Sequence, residues 1–204
     1  MRYLNRSTLS LLGGMIVLLI IGAKLLGLMS MTPDPNANHQ VTSVIGGSFT
    51  LLGTNGQTVT PASWPGKLLV IAFGYRFCPD ICPTNLGTIA SALDRLGPDA
   101  MRVQPLFITV DPERDSVDGL RDYVSLFYPR LIGLTGTSDQ IAAAAKTFRV
   151  YYRKVPGATP ETYSMDHSAF FFVTDDHGTV IKVFDHDITV EALAKGLKSA
   201  LTHL

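Results

Sequence analysis

The chain has 204 residues, of which 46% are hydrophobic and 17% are charged, so it is too apolar for disorder and suits one folded domain of common size with an additional segment. Seventeen Lys and Arg residues balance seventeen Asp and Glu residues, and no extended basic run occurs, which argues against a nucleic-acid partner. With only two cysteines there is no disulfide framework, and both thiols are available for local chemistry.

The N-terminal segment differs in composition from the rest of the chain. Residues 1–8 carry two arginines, and residues 9–31 form an apolar stretch of 23 residues whose only charge is Lys24. Because about 20 apolar residues cross a bilayer, we expect a retained transmembrane anchor at 9–31, with a signal peptide as the alternative. The arginines precede the span and no Lys or Arg lies between Lys24 and Lys67, so residues 1–8 are expected in the cytoplasm. In a bacterial host this makes a single-pass inner-membrane protein with its C-terminal domain in the periplasm.

The remaining chain alternates between strand-like and helix-like patterns. Residues 32–41 are polar with two prolines and predict a linker, and residues 42–204 predict one folded domain. The predicted elements, in chain order, are a hairpin around Asn55-Gly56, a buried strand at 67–75, a helix from Pro83 to Gly97, a buried strand at 103–110, a helix capped by Ser116, a short strand or turn at 131–136, a helix at 138–148, an extended segment at 150–155, paired strands at 168–174 and 179–184, and a helix from Thr189.

This order of elements predicts an α/β fold of the thioredoxin-like plan. The strands at 67–75 and 103–110 are continuous apolar runs, which are typical of strands buried on both faces, and the intervening helix makes them parallel. The C-terminal hairpin adds an antiparallel strand, and a dithiol follows the first core strand directly.

The segment "FGYRFCPDICPTNL", residues 73–86, contains both cysteines. Cys78 follows the first core strand at the carboxyl edge of the sheet, where open α/β sheets collect ligands. Cys82 precedes Pro83 and is expected to be the N-cap of the helix, where unpaired N–H groups and the helix dipole stabilise a thiolate. Arg76 adds positive charge. The pattern predicts reactive or metal-binding sulfur, and a local disulfide or a coincidental pair is the alternative.

The topology separates the five histidines. His39 lies in the linker and His203 lies next to the C-terminus. His177 lies in the hairpin turn at the opposite edge of the sheet, and His186 returns to the dithiol edge one strand further out. His167, at the start of the strand at 168–174, is the histidine that the topology brings closest to the dithiol.

The dithiol and His167 together make a Cys2His site. Thiolates favour Cu(I) and zinc, imidazole also suits Cu(II), and a site with three ligands leaves the metal accessible for transfer. An oxidising compartment would let the same thiols cycle to a disulfide. Among nearby carboxylates, Asp80 predicts a solvated loop residue, whereas Asp111 and Asp115 either orient the site or a partner or serve as loop and cap residues.

Four segments resemble the Sco/SenC family in sequence and in order: "FGYRFCPDICPTNL", "FITVDPERDS", "GLTGT" and "YSMDHSAFFFVTDDHG". The resemblance covers residues 42–203 and the membrane tether. It implies a thioredoxin fold that binds copper through Cys78, Cys82 and His167 and assists assembly of the binuclear copper centre of cytochrome c oxidase, either by delivering copper or by reducing the receiving cysteines. The positions before the first cysteine, Arg76 and Phe77, depart from the usual Thr and aromatic or His.

We therefore expect a membrane-tethered copper metallochaperone, using Cu(I) or Cu(II), whose partner is the copper-site subunit of the oxidase, with other copper chaperones or thiol reductants as further partners. The alternative is an enzyme that uses Cys78 and Cys82 as a redox-active pair without metal: a peroxidase, or a membrane-tethered thiol-disulfide oxidoreductase that reduces the cysteines of the oxidase copper site or of other extracytoplasmic proteins. Two features argue against this alternative. Thioredoxin-like oxidoreductases usually have two residues between the cysteines, whereas this chain has three. They also usually have a proline just before the strand that here follows His167, whereas the nearest upstream proline is Pro160. A zinc-stabilised adaptor is a third hypothesis.

Overall fold

Two hydrophobic strands form the centre of the fold. The computed structural model of the chain describes residues 45–157, 159 and 162–204. Strand β3, Leu68–Gly74, and strand β4, Val103–Thr109, are buried at every position. They pair in parallel from Leu68 opposite Val103 to Gly74 opposite Thr109, so both strands end at the same edge of the sheet. The predicted parallel pair is confirmed. Its apolar side chains point to both faces of the sheet, so both faces must be covered by other elements.

Five further strands extend this pair on both sides. They are β1 (Leu51–Gly53), β2 (Thr58–Val59), β5 (Ile132–Thr135), β8 (Phe170–Thr174) and β9 (Val180–Asp185). Within the described chain the sheet has seven strands in the order β2-β1-β5-β4-β3-β8-β9. Strand β5 is parallel to β4, whereas β8 is antiparallel to β3, so β8 begins where β3 ends. The predicted α/β class is confirmed.

Helices connect the strands and begin at short polar side chains. They are α1 (Ile81–Leu96), α2 (Val117–Ser125), α3 (Ser138–Thr147) and α4 (Val190–Ala200). As predicted, the side chains of Ser116 and Thr189 accept N–H bonds at the starts of α2 and α4, and Thr137 does the same for α3. Helix α1 ends at Gly97, whose φ of 57° favours glycine.

The start of α1 corrects one prediction. The helix begins at Ile81 with Asp80 as its N-cap, so Cys82 is the second helical residue and not the cap. Pro83 lies within the first turn, where an N–H has no intrahelical partner and proline costs no hydrogen bond. The earlier start turns the Cys82 side chain toward the core, where it is 1% exposed.

A separate hairpin carries His167. Strand β6, Tyr152–Val155, pairs antiparallel with β7, Ser164–His167, in a two-stranded sheet outside the main one. The prediction that His167 starts the strand at 168–174 is wrong, because His167 ends β7, opposite Tyr152, and β8 begins at Phe170. The prediction that His167 lies at the carboxyl edge of the parallel strands is nevertheless confirmed, since β8 begins two residues after His167's neighbour Ser168, at the edge where β3 ends.

The predicted cytoplasmic segment at 1–8, anchor at 9–31 and linker at 32–41 lie outside the described residues. Across the part of the chain that the structure covers, no helix combines the length and the hydrophobicity needed to cross a membrane.

Aromatic packing beside the central strands supports the fold. Phe148, at the end of α3, is 1% exposed. Its ring centroid lies 5.6 Å from that of Phe73, 5.3 Å from that of Phe172 and 6.4 Å from that of Phe49. One side chain therefore joins α3, β3 and β8 in the same cluster.

We expect Phe148→Ala to lower the free energy of unfolding by about 3–5 kcal/mol, because it leaves a cavity in this aromatic cluster. Urea unfolding of the reduced protein measures the loss. Leu126→Ala is the control, since Leu126 is 79% exposed and should change stability by less than about 0.5 kcal/mol. Equal losses in the two variants would contradict this account of the core.

Candidate functional site

Glycine at the end of β3 makes room for the sulfur of Cys82. A methyl group on Gly74 would lie 2.5 Å from Cys82 Sγ and 2.7 Å from the Phe107 ring, closer than non-bonded atoms approach. Gly74 is also the last residue of β3, at the carboxyl edge. The missing side chain therefore lets the first turn of α1 place a buried thiol directly against the strand end.

His167 faces this buried thiol. Its Nε2 lies 3.4 Å from Cys82 Sγ, although the two residues are 85 positions apart in the chain. Its Nδ1 lies 3.0 Å from the carbonyl oxygen of Met165, and a carbonyl can only accept, so Nδ1 carries the proton. In the neutral form of this ring, Nε2 presents its lone pair to Cys82. The edge of the Tyr75 ring packs on the imidazole with centroids 5.7 Å apart.

The two thiols differ in acidity. The S–H of Cys82 donates to Cys78, and this hydrogen bond, helped by backbone N–H groups of Asp80 and Cys82, lowers the pKa of Cys78 to about 5 despite partial burial. The same hydrogen bond and deep burial raise the pKa of Cys82 well above its ordinary value. At neutral pH, Cys78 is therefore the thiolate, and Cys82 keeps its proton.

The single proton of Cys82 has two acceptors, the Cys78 thiolate and Nε2 of His167. Loss of this proton provides two thiolates and an imidazole lone pair, a set of donors that suits a soft metal ion. As the side chains stand, no three His, Cys, Asp or Glu side chains in the described ranges are grouped to hold a metal. The donor types fit copper, and the ligand assignment stays a prediction.

Asp115 joins the cysteine loop, residues 75–80, to the end of β4. This carboxylate is fully buried and accepts hydrogen bonds from the Thr109 hydroxyl at 2.6 Å and the Arg76 backbone N–H at 3.2 Å. The Arg76 guanidinium lies 3.4 Å away as its ion-pair partner. Burial raises the pKa of Asp115, and the hydrogen bonds oppose that rise.

Asp111 makes the corresponding link to the histidine hairpin, which consists of β6 and β7. It is 2% exposed and accepts hydrogen bonds from Arg114 Nε at 2.5 Å and from the Tyr163 hydroxyl at 2.7 Å. Of the two roles expected for Asp111 and Asp115, orientation of the site is the one that fits these contacts. We did not predict Arg114 or Tyr163 from the sequence. The one available signal was an arginine between two aspartates at the carboxyl edge.

The other candidate residues lie apart from this group. His177 and His186 are exposed and contact neighbouring aspartates, His177 in the turn between β8 and β9 and His186 just after β9. Asp80 is exposed, as predicted for a loop carboxylate. His39 lies outside the described residues, and for His203 only the backbone is described.

A family model described as SCO1/SenC matches residues 37–202. The chain belongs to the SCO1/SenC family. An SCO2-like protein of Rickettsia felis is 36% identical over 188 residues, which are 89% of this chain and 92% of the relative. The mitochondrial SCO1 homolog 1 of Arabidopsis thaliana is 37% identical over 156 residues, which are 76% of this chain and 46% of the relative. The chain thus spans about half the length of that mitochondrial relative and nearly all of the rickettsial one.

Solved SCO1/SenC structures have the same fold. The copper-bound structure of Bradyrhizobium japonicum ScoI is 42% identical to this chain and superposes with a TM-score of 0.70 over 76% of this chain and 98% of that one. The copper-bound structure of Arabidopsis thaliana ScoI is 36% identical, with a TM-score of 0.73 over 78% of this chain and 99% of that one. The expected thioredoxin-like, Sco-type fold is confirmed.

We expect Cys82→Ala to raise the pKa of Cys78 from about 5 toward the ordinary thiol value of about 8.5, because the variant removes the S–H donor. The pH dependence of iodoacetamide alkylation of the reduced protein, resolved by peptide mass spectrometry, measures the pKa. Cys82→Ser keeps a hydroxyl donor and should raise the pKa by less. An unchanged midpoint in Cys82→Ala would contradict the assigned cause.

Proposed function

We propose that this chain is a membrane-tethered copper metallochaperone that binds copper through Cys78, Cys82 and His167 and assists assembly of the copper centre of cytochrome c oxidase. The observation that carries the proposal is the contact between Cys82 Sγ and His167 Nε2, 85 residues apart, beside the Cys78 thiolate. Membership of the SCO1/SenC family, in which the ScoI structures at 42% and 36% identity contain copper, supports it.

The protonation states of the two cysteines and the tautomer of His167 support a metal ion as the cargo. Cys78 is a thiolate at neutral pH, so it can bind without losing a proton. Cys82 must lose its proton, which makes binding proton-releasing and therefore tighter as the pH rises. The bond from His167 Nδ1 to the Met165 carbonyl holds the ring in the tautomer that leaves Nε2 as a ligand.

The exposure of the site supports transfer to a partner. Cys78 is partly exposed and Phe77 beside it is 48% exposed, whereas Cys82 is 1% exposed. An incoming thiolate can therefore approach the metal from the Cys78 side and displace Cys78 first, while Cys82 and His167 remain bound.

The proposed tether supports a partner at the membrane. An anchor at 9–31 with residues 1–8 in the cytoplasm would hold the domain near the outer face of a bacterial inner membrane. The copper-site subunit of the oxidase is the partner implied by the family, with other copper chaperones or thiol reductants acting before it.

We expect the reduced full chain, purified in detergent, to bind one copper ion. His167→Ala should weaken Cu(II) binding by at least about tenfold, since even outer partners of a metal site contribute that much. Replacing either cysteine by serine should abolish binding, because a hydroxyl does not supply a soft thiolate. Copper titration followed by thiolate-to-copper absorption measures both effects.

His186→Ala is the matched control for this titration, because His186 is an exposed histidine that contacts only its neighbour Asp185 among the bonds described. It should bind copper as the unmodified protein does. Unchanged copper affinity in His167→Ala would remove His167 from the proposed ligand set.

The low pKa of Cys78 favours a second function, that of a thiol-disulfide oxidoreductase. The Cys78 thiolate can attack a partner disulfide, which forms a mixed disulfide and releases one partner thiolate. Cys82 then loses its proton and attacks the Cys78 sulfur, which closes the Cys78–Cys82 disulfide and releases the second thiolate. The partner disulfide is reduced, the two cysteines are oxidised, and a dithiol reductant must restore them.

We expect the metal-free protein to reduce a small-molecule disulfide only slowly with a dithiol reductant, because Cys82 is buried and its raised pKa leaves little thiolate. The measurement is the turnover of the protein against Cys78→Ser, which has no attacking thiolate. Robust turnover that Cys78→Ser abolishes would favour the oxidoreductase over the metallochaperone.

A further inference from the structure

The histidine hairpin lies outside the seven-stranded sheet, so its position relative to the cysteine loop needs other support. Its strands β6 and β7 pair only with each other in the described chain. At the β8 end it is fixed by the backbone bond from Ser168 N to Tyr151 O. An exposed ion pair joins Lys154 to Glu113 at 2.7 Å, and such pairs contribute little.

Arg114 makes more shielded contacts to Tyr163, the residue directly before β7. Its Nη1 donates to the carbonyl oxygen of Tyr163 at 2.9 Å, and its guanidinium lies 3.5 Å above the Tyr163 ring. The Tyr163 hydroxyl donates to Asp111, which also accepts from Arg114 Nε. The side chain of Arg114 is 17% exposed, so these contacts are largely shielded from water.

Arg114 also contacts the cysteine loop. Its backbone carbonyl accepts from Arg76 Nη2 at 3.2 Å. Its guanidinium carbon lies 4.9 Å from the Phe77 ring centroid and 5.7 Å from that of Tyr75, which packs on the His167 ring. One planar side chain therefore lies between the residues that precede Cys78 and the residues that precede His167.

We propose that Arg114 is a positioning residue that holds the histidine hairpin against the cysteine loop and thereby sets the alignment of His167 Nε2 with the two sulfurs. A guanidinium can stack on Tyr163 and donate to Asp111 and to a carbonyl at the same time, which the single ammonium of lysine cannot do. The copper part of this inference rests on the proposed function, and the alignment itself does not.

The test compares the full chain with Arg114→Lys, which keeps the charge beside Asp111. In the metal-free protein, amide hydrogen exchange at Met165, whose backbone N–H donates to the Tyr75 hydroxyl of the cysteine loop, should become about tenfold faster, because the stack and a shielded hydrogen bond that hold the hairpin there are lost. With Cu(II), the variant should bind about tenfold more weakly with a shifted thiolate-to-copper absorption band. In the His167→Ala background, Arg114→Lys should cause no further loss, because it acts through His167.

Arg130→Lys is the matched control. Like Arg114, Arg130 donates to backbone carbonyls and lies near a tyrosine ring. Its carbonyl partners are Val103 and Ala100, and its guanidinium carbon lies 5.5 Å from the centroid of the Tyr128 ring. It has no described contact with the cysteine loop or the hairpin, so its variant should leave exchange at Met165 and the copper absorption band unchanged.

Two outcomes would overturn the inference: unchanged hydrogen exchange in Arg114→Lys, or equal copper losses with and without His167. If Arg114→Lys does not fold, Tyr163→Leu removes the stacking platform while Arg114 keeps Asp111, and the same readouts apply. Failure of the unmodified protein to bind copper would reject the proposed function alone, because hydrogen exchange in the metal-free protein still decides the role of Arg114.

Discussion

The packing of Cys82 Sγ against Gly74 is the constraint on which the candidate site depends. Because Gly74 has no side chain, the first turn of α1 can approach the end of β3, and the sulfur becomes buried at the carboxyl edge of the sheet. The hydrogen bond to Cys78, together with burial, keeps the proton on Cys82, and the same hydrogen bond stabilises the Cys78 thiolate. The low pKa of Cys78 thus depends on the absence of a side chain at Gly74, eight residues before Cys82.

Buried polar contacts help to hold the surrounding segments at this edge. Asp115 and Asp111 follow β4, are almost fully buried, and each pairs with an arginine. A buried ion pair gains little over an apolar pair, but loss of one partner leaves an uncompensated charge and is costly. Such pairs therefore specify geometry: Asp115 holds the cysteine loop through Arg76, and Asp111 holds the hairpin end through Tyr163.

Much of this arrangement could be predicted from the sequence because apolar runs determine the central strands. The runs at 67–75 and 103–110 placed Cys78 at the carboxyl edge, and the antiparallel strand after His167 placed the histidine there too. The N-cap at Cys82 was wrong because Pro83 fits anywhere in a first helical turn. The extended segment predicted at 150–155 is confirmed as β6, but β7 and its pairing with β6 were missed because β7 is largely polar and lies outside the main sheet. Arg114 was missed because charged loop residues are usually solvated.

The contrast between the two sulfurs bears on whether the pair carries metal or electrons. Disulfide exchange requires Cys82 to become a nucleophile, and its burial and raised pKa oppose that step until Cys78 has lost its negative charge in a mixed disulfide. Metal binding requires the same deprotonation, but the positive ion itself supplies the compensation, and the lone pair of His167 already faces the sulfur. An imidazole held in that tautomer adds a ligand to a metal site, and in disulfide exchange the same lone pair would accept the Cys82 proton. Charge compensation by a positive ion, which disulfide exchange lacks, therefore favours metal as the cargo that we propose for this dithiol.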